Sequence, residues 1–206
     1  MDGADMVEIP AGRFRMGCAD FYPEERPVRE VQVEAFAIGR GPVTVAQFAR
    51  FTEDTGYVTL AERRPDPTDY PDADPSLLVP GSAVFHPTPG PVPLHDPARW
   101  WTYVPGANWR HRWGPDSGNF GREDHAVAHV ACEEPRPTQA GPGRRSPAKP
   151  NGSTLARGRL DGAVFAWGGE QHPGGELMAN FWQGEFPWRN TGAKQWRGTH
   201  PLACFP

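Results

Sequence analysis

Cysteine and histidine are the side chains of this sequence that could act as nucleophiles or soft metal ligands. The cysteines are Cys18, Cys132 and Cys204, an odd number at wide spacing that matches neither a disulfide framework nor a zinc motif. His125 and His129, in DHAVAHV, have the i, i+4 spacing that a metal site can use on a helix. Because no third ligand lies at a suitable distance along the chain, we favour a structural role for both histidines.

A second group of notable residues lies in 178–190, MANFWQGEFPWRN, where aromatic and polar side chains are mixed. Their spacing fits neither the period of a helix nor that of a strand. Aromatic rings bring a large apolar area, and tryptophan also has an N–H donor. On the residues alone, a loop that anchors the core of a domain with little regular structure is the simplest interpretation.

The composition predicts a loop-rich but folded domain. The 206 residues include 25 Pro and 24 Gly, which together approach the level at which disorder is the default for a chain without repeats. Eight Trp and eleven Phe argue against disorder, because disordered chains are poor in aromatic residues. We therefore expect a compact fold of short helices and strands joined by loops.

The charge and the hydropathy pattern exclude several classes of partner. A net charge of -4 and an isoelectric point near 6.0 give no electrostatic footprint for nucleic acid or for an anionic membrane. The first residues, MDGADMVEIPAG, lack the basic and apolar regions of a signal peptide, and nothing further on is apolar enough to cross a bilayer. We expect a cytoplasmic monomer with no nucleic-acid or membrane partner.

Local patterns predict the elements that must position these residues. Residues 6–17 suggest a hairpin with its turn at PAG, and the alternation over 28–38 indicates one half-buried strand. Thr44, with Gln47 three positions later, predicts a capped helix that ends at Gly56. The proline-rich residues 62–99 predict an extended excursion over the surface, with a disordered linker as the alternative.

Three segments together resemble one known family. They are IPAGRFRMG near the start, WWTYVPGANWRH from residue 100 and NFWQGEFPWRNTG from residue 180. They are similar to I-P-x-G-x-F-x-M-G, W-W-x-x-V-x-G-A-N-W-R-H and N-x-W-Q-G-E-F-P-x-x-N-T-G of the formylglycine-generating enzymes, which are sulfatase-modifying factors. The resemblance spans nearly the whole chain.

The resemblance implies a fold, a reaction and a substrate. The fold is a loop-rich α+β fold related to that of C-type lectins. The family uses copper and oxygen to oxidise the cysteine of a C-x-P-x-R motif in an unfolded sulfatase polypeptide to formylglycine, so the implied partner is a sulfatase. By the same resemblance, Trp100, Trp101 and Trp109 are candidates for the wall of the substrate groove.

Residues 132–159 depart from the family pattern without a change in length. The family has an amphipathic helix and a W-A-G-K-R-L-P-T-E-A-E-W-E-Y-A segment there, whereas this chain reads CEEPRPTQAGPGRRSPAKPNGSTLARGR. A compensated shift of reading frame explains this, because in the shifted frame 140–143 can read W-A-G and 146–155 can read P-x-E-A-E-W-E-Y-A. A divergent surface loop is the alternative. We expect an aberrant, disordered segment within a partial domain that covers 1–206.

The resemblance also implies metal sites that this chain does not keep intact. In the family, the positions of Asn180, Phe181 and Trp196 help to bind calcium, together with an aspartate where this chain has Lys194. Calcium prefers several hard oxygen ligands. We therefore expect a vestigial calcium site.

The copper site of the family lies beyond the last residue of this sequence. There, two cysteines hold Cu(I), an ion that soft thiolates select. We therefore assign no catalytic and no cofactor-binding residue, and we expect a member of the family that is incomplete at the C-terminus, inactive and without copper or calcium. Two alternatives stay open: a non-catalytic peptide-binding module, or an active enzyme if the sequence is truncated by error.

Overall fold

A computed structural model describes residues 6–131, 163–192, 194, 196–202 and 204. The chain divides into two compact units, the first formed by Met1–Gly41 and Arg145–Ala179, the second by Pro42–Arg144 and Asn180–Pro206. The segment 132–159, for which we expect disorder, lies outside the described residues.

The first unit is organised by four short strands in two antiparallel pairs. β1 (Met6–Ile9) pairs with β4 (Phe36–Gly39), and β2 (Gly12–Met16) pairs with β3 (Arg29–Val33). The two pairs continue the same alignment of the chain segments. Ile9 lies opposite Phe36 in the first pair, and Gly12 lies opposite Val33 in the second. The ladder is interrupted at Pro10, which has no N–H to donate.

Two strand predictions are wrong in the same way. β1 and β2 do not pair with each other, so PAG is a break within one edge of the ladder and not the turn of a hairpin. The chain reverses instead in residues 17–28, between β2 and β3. The predicted single strand over 28–38 is likewise divided into β3 and β4.

The second unit contains the long helix, and its predicted ends are confirmed. α1 (Val45–Thr55) begins after a complete capping box: the Gln47 N–H donates to Thr44 Oγ1 at 3.1 Å, and the Thr44 N–H donates to Gln47 Oε1 at 3.0 Å. It ends at Gly56, whose φ of 67° is left-handed. Such a conformation is cheap for glycine, which explains why the helix stops there.

One face of α1 builds the core of this unit. Phe48 is 1% exposed and meets Trp109 edge to face, with ring centroids 5.1 Å apart. Val45 completes the buried cluster, around which partly buried apolar residues pack: Val43, Ala49, Phe51, Tyr57, Val127 and Val130. Burying a large aromatic side chain in this way contributes about 1.5–3 kcal/mol.

The first turn of α1 is bonded to the segment 123–127. The N–H of Val45 donates to the His125 carbonyl at 2.9 Å, and the N–H of Ala46 donates to the Glu123 carbonyl at 2.9 Å. The first N–H groups of a helix have no partner within the helix, so this segment satisfies them. As a consequence, the position of His125 is fixed by backbone contacts.

Short strands and turns complete the second unit. β5 (Gly81–Phe85) pairs antiparallel with β6 (Trp101–Pro105), and β7 (Gly184–Glu185) pairs with β8 (Arg189–Asn190). Three Asp-Pro steps open single 3-10 turns, because Asp66, Asp74 and Asp96 each accept a hydrogen bond from the N–H two residues on. The proline-rich region is therefore an ordered path of turns around β5. Together, the helix and the antiparallel pairs confirm an α+β arrangement.

Membrane-spanning segments are not found among the described residues, where no helix has both the length and the apolar character to cross a bilayer.

Replacing Thr44 tests the helix cap. Thr44→Ala removes the acceptor for the Gln47 N–H, and we expect the free energy of unfolding to fall by about 1 kcal/mol. Chemical denaturation measures the change. Glu53→Ala is the control, because Glu53 is exposed in the same helix and lies away from the cap. Equal losses for the two variants would show that the cap contributes nothing specific.

His125 predicts a pH dependence of stability. Its side chain is 3% exposed, and its pKa is lowered from 6.5, first by burial and then by the charge of Arg122. The folded state therefore disfavours protonation, so stability is full above about pH 6.5 and falls as the pH drops toward the lower folded pKa. In His125→Gln, the fall in the denaturation midpoint between about pH 7.5 and 5.5 should be smaller.

The exposed His95 provides the control for this measurement. His95→Gln should retain the full pH dependence, since its ring is not buried. If His125→Gln retains it as well, protonation of His125 is not the cause.

Candidate functional site

The second unit contains two adjoining cavities with aromatic walls. The larger has a volume of about 870 Å³ and the smaller a volume of about 310 Å³. Phe85, Trp101 and Trp182 belong to the walls of both, and Trp188 and Trp196 add rings to the larger one. Cavities of such volume that combine aromatic rings with a few polar groups are typical of ligand sites.

Pairing between β5 and β6 places the first two of these rings. Phe85 lies directly opposite Trp101 in the register, and their ring centroids are 5.5 Å apart. Trp182 meets Phe85 at 5.6 Å, and Phe186 meets Trp182 at 5.2 Å, both edge to face. The cross-strand pair and the 178–190 stretch therefore form one aromatic cluster.

The three tryptophans predicted to line a substrate groove have different environments. Trp101 is 46% exposed and lines both cavities. Trp100 is 6% exposed and packs against Phe186, whereas Trp109 is 5% exposed and packs against Phe48. Only Trp101 of the three has a position from which it could contact a ligand in these cavities.

The 178–190 stretch both packs internally and borders the cavities. Its turn between β7 and β8 needs glycine at position 184, which has a φ of 101° and where a Cβ would lie 2.7 Å from the carbonyl oxygen of Arg189. The Thr191 N–H donates to the Gln183 carbonyl at 2.8 Å and closes the loop. The interpretation as a core-anchoring loop thus covers only part of what these aromatic residues do.

His129 is held by both ring nitrogens on the larger cavity. Nε2 donates to the Arg112 carbonyl at 2.9 Å, and Nδ1 accepts from the Ser82 hydroxyl at 2.8 Å. Burial is the main cause that lowers its pKa. Residues 125–129 are not helical, so His125 and His129 do not share a helix face. Within the described parts of the chain, no cluster of three His, Cys, Asp or Glu residues could hold a metal ion.

Three arginines, Arg112, Arg122 and Arg197, also line the larger cavity. The first two are half-buried and lie near the Trp113 ring, with their guanidinium carbons 5.7 and 5.0 Å from its centroid. Arg112 also donates to Thr199 Oγ1 at 3.1 Å. Its pKa is lowered, first by burial and then by the charge of Arg122.

Sequence reasoning missed this arginine group. No motif pointed to it, because Arg112 directly follows the WWTYVPGANWRH segment and lies outside the pattern on which the resemblance rests. The other two arginines are distant in sequence from Arg112 or lie outside the motifs, and only the fold brings them to one wall.

The predicted calcium residues all belong to the second unit, where Asn180 and Phe181 line the smaller cavity and Trp196 lines the larger one. The Asn180 side-chain amide donates to the Gly198 carbonyl at 2.7 Å, and the Phe181 carbonyl accepts a long bond of 3.5 Å from the Gln183 amide. The Asn180 bond is made by its amide nitrogen, so of these two oxygens only the Phe181 carbonyl accepts a hydrogen bond from the described part of the protein.

Lys194 and Trp196, the remaining residues of the predicted calcium site, fit the ion poorly. Lys194 donates to the Cys204 carbonyl at 3.4 Å, and Trp196 packs its ring near His125 at 5.9 Å. The predicted ligand set offers one side-chain amide and two carbonyls with no carboxylate, beside an ammonium. Calcium sites use several hard, mostly anionic oxygens, so this set does not suit the ion.

Neither described cysteine is among the residues that line the two cavities. Cys18 belongs to the first unit, where the Asp20 N–H donates to its sulfur at 3.4 Å, and Cys204 belongs to the second. Both are half-buried free thiols. Cys132 lies outside the described residues.

Comparisons with known proteins agree on one family. The sulfatase-modifying factor enzyme 1-like domain matches residues 1–206. The chain is 50% identical to the formylglycine-generating enzyme of Mycobacterium tuberculosis and 38% identical to that of Bos taurus, over 98% of this chain in both cases. It is also 34% identical, over 98% of its length, to the inactive C-alpha-formylglycine-generating enzyme 2 of Mus musculus.

The matched relatives are longer than this chain. It covers 67% of the Mycobacterium tuberculosis protein, 52% of the Bos taurus protein and 62% of the Mus musculus protein. The match extends from end to end of the 206 residues, and the identities are high enough to establish kinship. The chain therefore belongs to the sulfatase-modifying factor enzyme 1-like family.

Proposed function

We propose that this chain binds a segment of a sulfatase polypeptide that contains the C-x-P-x-R motif, as part of sulfatase maturation. The observation that carries the proposal is the exposed Trp101 ring on the wall of both cavities, flanked by Phe85 and Trp182. Two relatives are named formylglycine-generating enzymes, which supports formylglycine generation as the process in which the segment is bound.

The chemistry of the motif suits an aromatic wall. Proline-containing segments are already extended before binding, and they dock into grooves lined by aromatic rings with little loss of conformational entropy. The Trp101 ring offers a flat apolar face for the proline.

We also propose that these 206 residues do not oxidise the bound cysteine by themselves. Thiolates are the ligands that select Cu(I). No cysteine is among the described residues of the cavity walls. The inactive relative supports the possibility of a family member without catalysis. An active oxidase is the second candidate, favoured by the 50% identity to a formylglycine-generating enzyme.

Calcium, we propose further, is not retained. The support is the lack of a carboxylate among Asn180, Phe181 and Trp196, together with the ammonium of Lys194. The other finer features, a relation to C-type lectins, a monomeric state, a cytoplasmic location and a shifted reading frame over 132–159, stay predictions from the sequence.

A fluorescent peptide with a C-x-P-x-R core tests the binding proposal. The peptide should bind the 206-residue chain in fluorescence anisotropy, and Trp101→Ala should weaken binding by roughly tenfold or more because an aromatic anchor is lost. The control is Phe120→Ala, since Phe120 is 99% exposed and lies on neither cavity. Equal effects of the two variants would contradict a site at Trp101.

The same mixture, supplied with Cu(I) and oxygen, tests catalysis. We expect the mass spectrum of the bound peptide to show an unchanged cysteine. Conversion of the cysteine to the aldehyde would contradict the inactivity proposal and establish the second candidate.

Exchange of Lys194 tests the calcium proposal. Excess calcium should leave the unfolding temperature of the chain unchanged, whereas Lys194→Asp should introduce a calcium-dependent rise. A ligand at a hundred times its Kd stabilises the folded state by about 2.7 kcal/mol, which is easily measured by thermal unfolding. Lys194→Met removes the positive charge without adding a ligand and should show no such rise. Calcium stabilisation of the unaltered chain would refute the proposal.

A further inference from the structure

The larger cavity has an unusual balance of charge on its wall. Arg112, Arg122 and Arg197 line it, and no Asp or Glu is among the described lining residues. Half-buried guanidinium groups normally have an anionic partner, because removing a charge from water is costly unless another charge or several hydrogen bonds compensate. The wall therefore has an excess of positive charge.

Neighbouring carboxylates do not neutralise this charge. Asp124 follows Arg122 by two residues, but its ion-pair contact is with His125 Nε2, at 4.0 Å. Within the described chain, neither Arg112 nor Arg122 has a carboxylate at ion-pair distance. The protein groups that Arg112 does contact, the Thr199 hydroxyl and the Trp113 ring, are both neutral.

The two half-buried arginines are held in place by neutral contacts. Both guanidinium groups lie within 6 Å of the Trp113 centroid, a range in which a cation is attracted to an aromatic ring. Their proximity to one another is unfavourable, and it contributes to the lowered pKa of Arg112. An anion between them would turn this repulsion into attraction without rearranging the side chains.

Aromatic rings cover much of the rest of the wall, beside the polar residues His129, Asn190 and Thr199. Trp101, Trp182, Trp188 and Trp196 contribute rings, and the volume of about 870 Å³ is far larger than an inorganic anion needs. A ligand that satisfies the whole wall must combine acceptor oxygens with an apolar body.

We propose that this cavity binds a small organic anion, with a carboxylate or sulfate group against Arg112 and Arg122 and an aromatic or other flat apolar body against the tryptophans. The proposal does not depend on recognition of a sulfatase segment. It is tested without any peptide, so the two can fail separately.

Calorimetric titration of the 206-residue chain with 2-naphthoate tests the site. The neutral 2-naphthamide has the same ring system and should bind about tenfold or more weakly, because charge-assisted hydrogen bonds are stronger than neutral ones. Inorganic sulfate should also bind more weakly, since it leaves the aromatic wall uncovered. Added salt should weaken 2-naphthoate binding through screening. Equal affinity for 2-naphthoate and 2-naphthamide, or for sulfate, would overturn the proposal.

Single substitutions locate the anionic group. Arg112→Gln and Arg122→Gln should each weaken 2-naphthoate binding by about tenfold and leave 2-naphthamide binding unchanged. Arg122→Gln matters in particular, because Arg112 also bonds Thr199 and its loss could disturb the fold. Arg50→Gln is the control: Arg50 is exposed on α1 and away from the cavity. An equal loss in Arg50→Gln, or no loss in Arg122→Gln, would overturn the assignment.

Discussion

The hydrogen bonds between the first turn of α1 and residues 123–127 are the constraint on which the second unit depends. They fix the backbone of His125, whose ring lies 3.0 Å from the Thr199 hydroxyl, and that hydroxyl also accepts from Arg112. The Arg112 carbonyl in turn accepts from His129, which is bonded to Ser82 on β5. One continuous network thus joins the helix to the wall of the larger cavity. Because buried members of such a network are costly to leave unpaired, each of them restricts the others.

Local sequence patterns were sufficient to predict features that depend only on residues close together in the chain. Both ends of α1 follow from Thr44, Gln47 and Gly56, because a cap and a left-handed glycine act within one turn of their own positions. The pairing of β1 with β4 did not follow, since it depends on a partner thirty residues away. A proline that looks like a turn can equally be an interruption within a strand edge, and only the partner strand distinguishes the two.

The candidate site also divides into features that the sequence predicts and features that only the fold brings together. Family motifs identified 100–113 and 178–190 as important, but they did not tell which tryptophan faces a cavity. Trp100 and Trp101 are adjacent in sequence and point into different environments, as neighbours at the start of a strand must. The arginine group could not be predicted, because Arg112, Arg122 and Arg197 belong to no common motif and meet only in the folded unit.

The local charge of the cavity also restricts how a sulfatase segment could bind. The whole chain carries a net charge of -4, yet the wall near Arg112 and Arg122 is positive, since a local field follows from nearby groups and not from the total. The arginine of a C-x-P-x-R segment would be repelled from that wall. A segment whose proline packs on Trp101 must therefore direct its arginine away from Arg112 and Arg122, so that the larger cavity stays available for an anion. Trp101 and Arg197 border both cavities, so the peptide and the anion would share one wall, and the arginine of the peptide must also stay clear of Arg197.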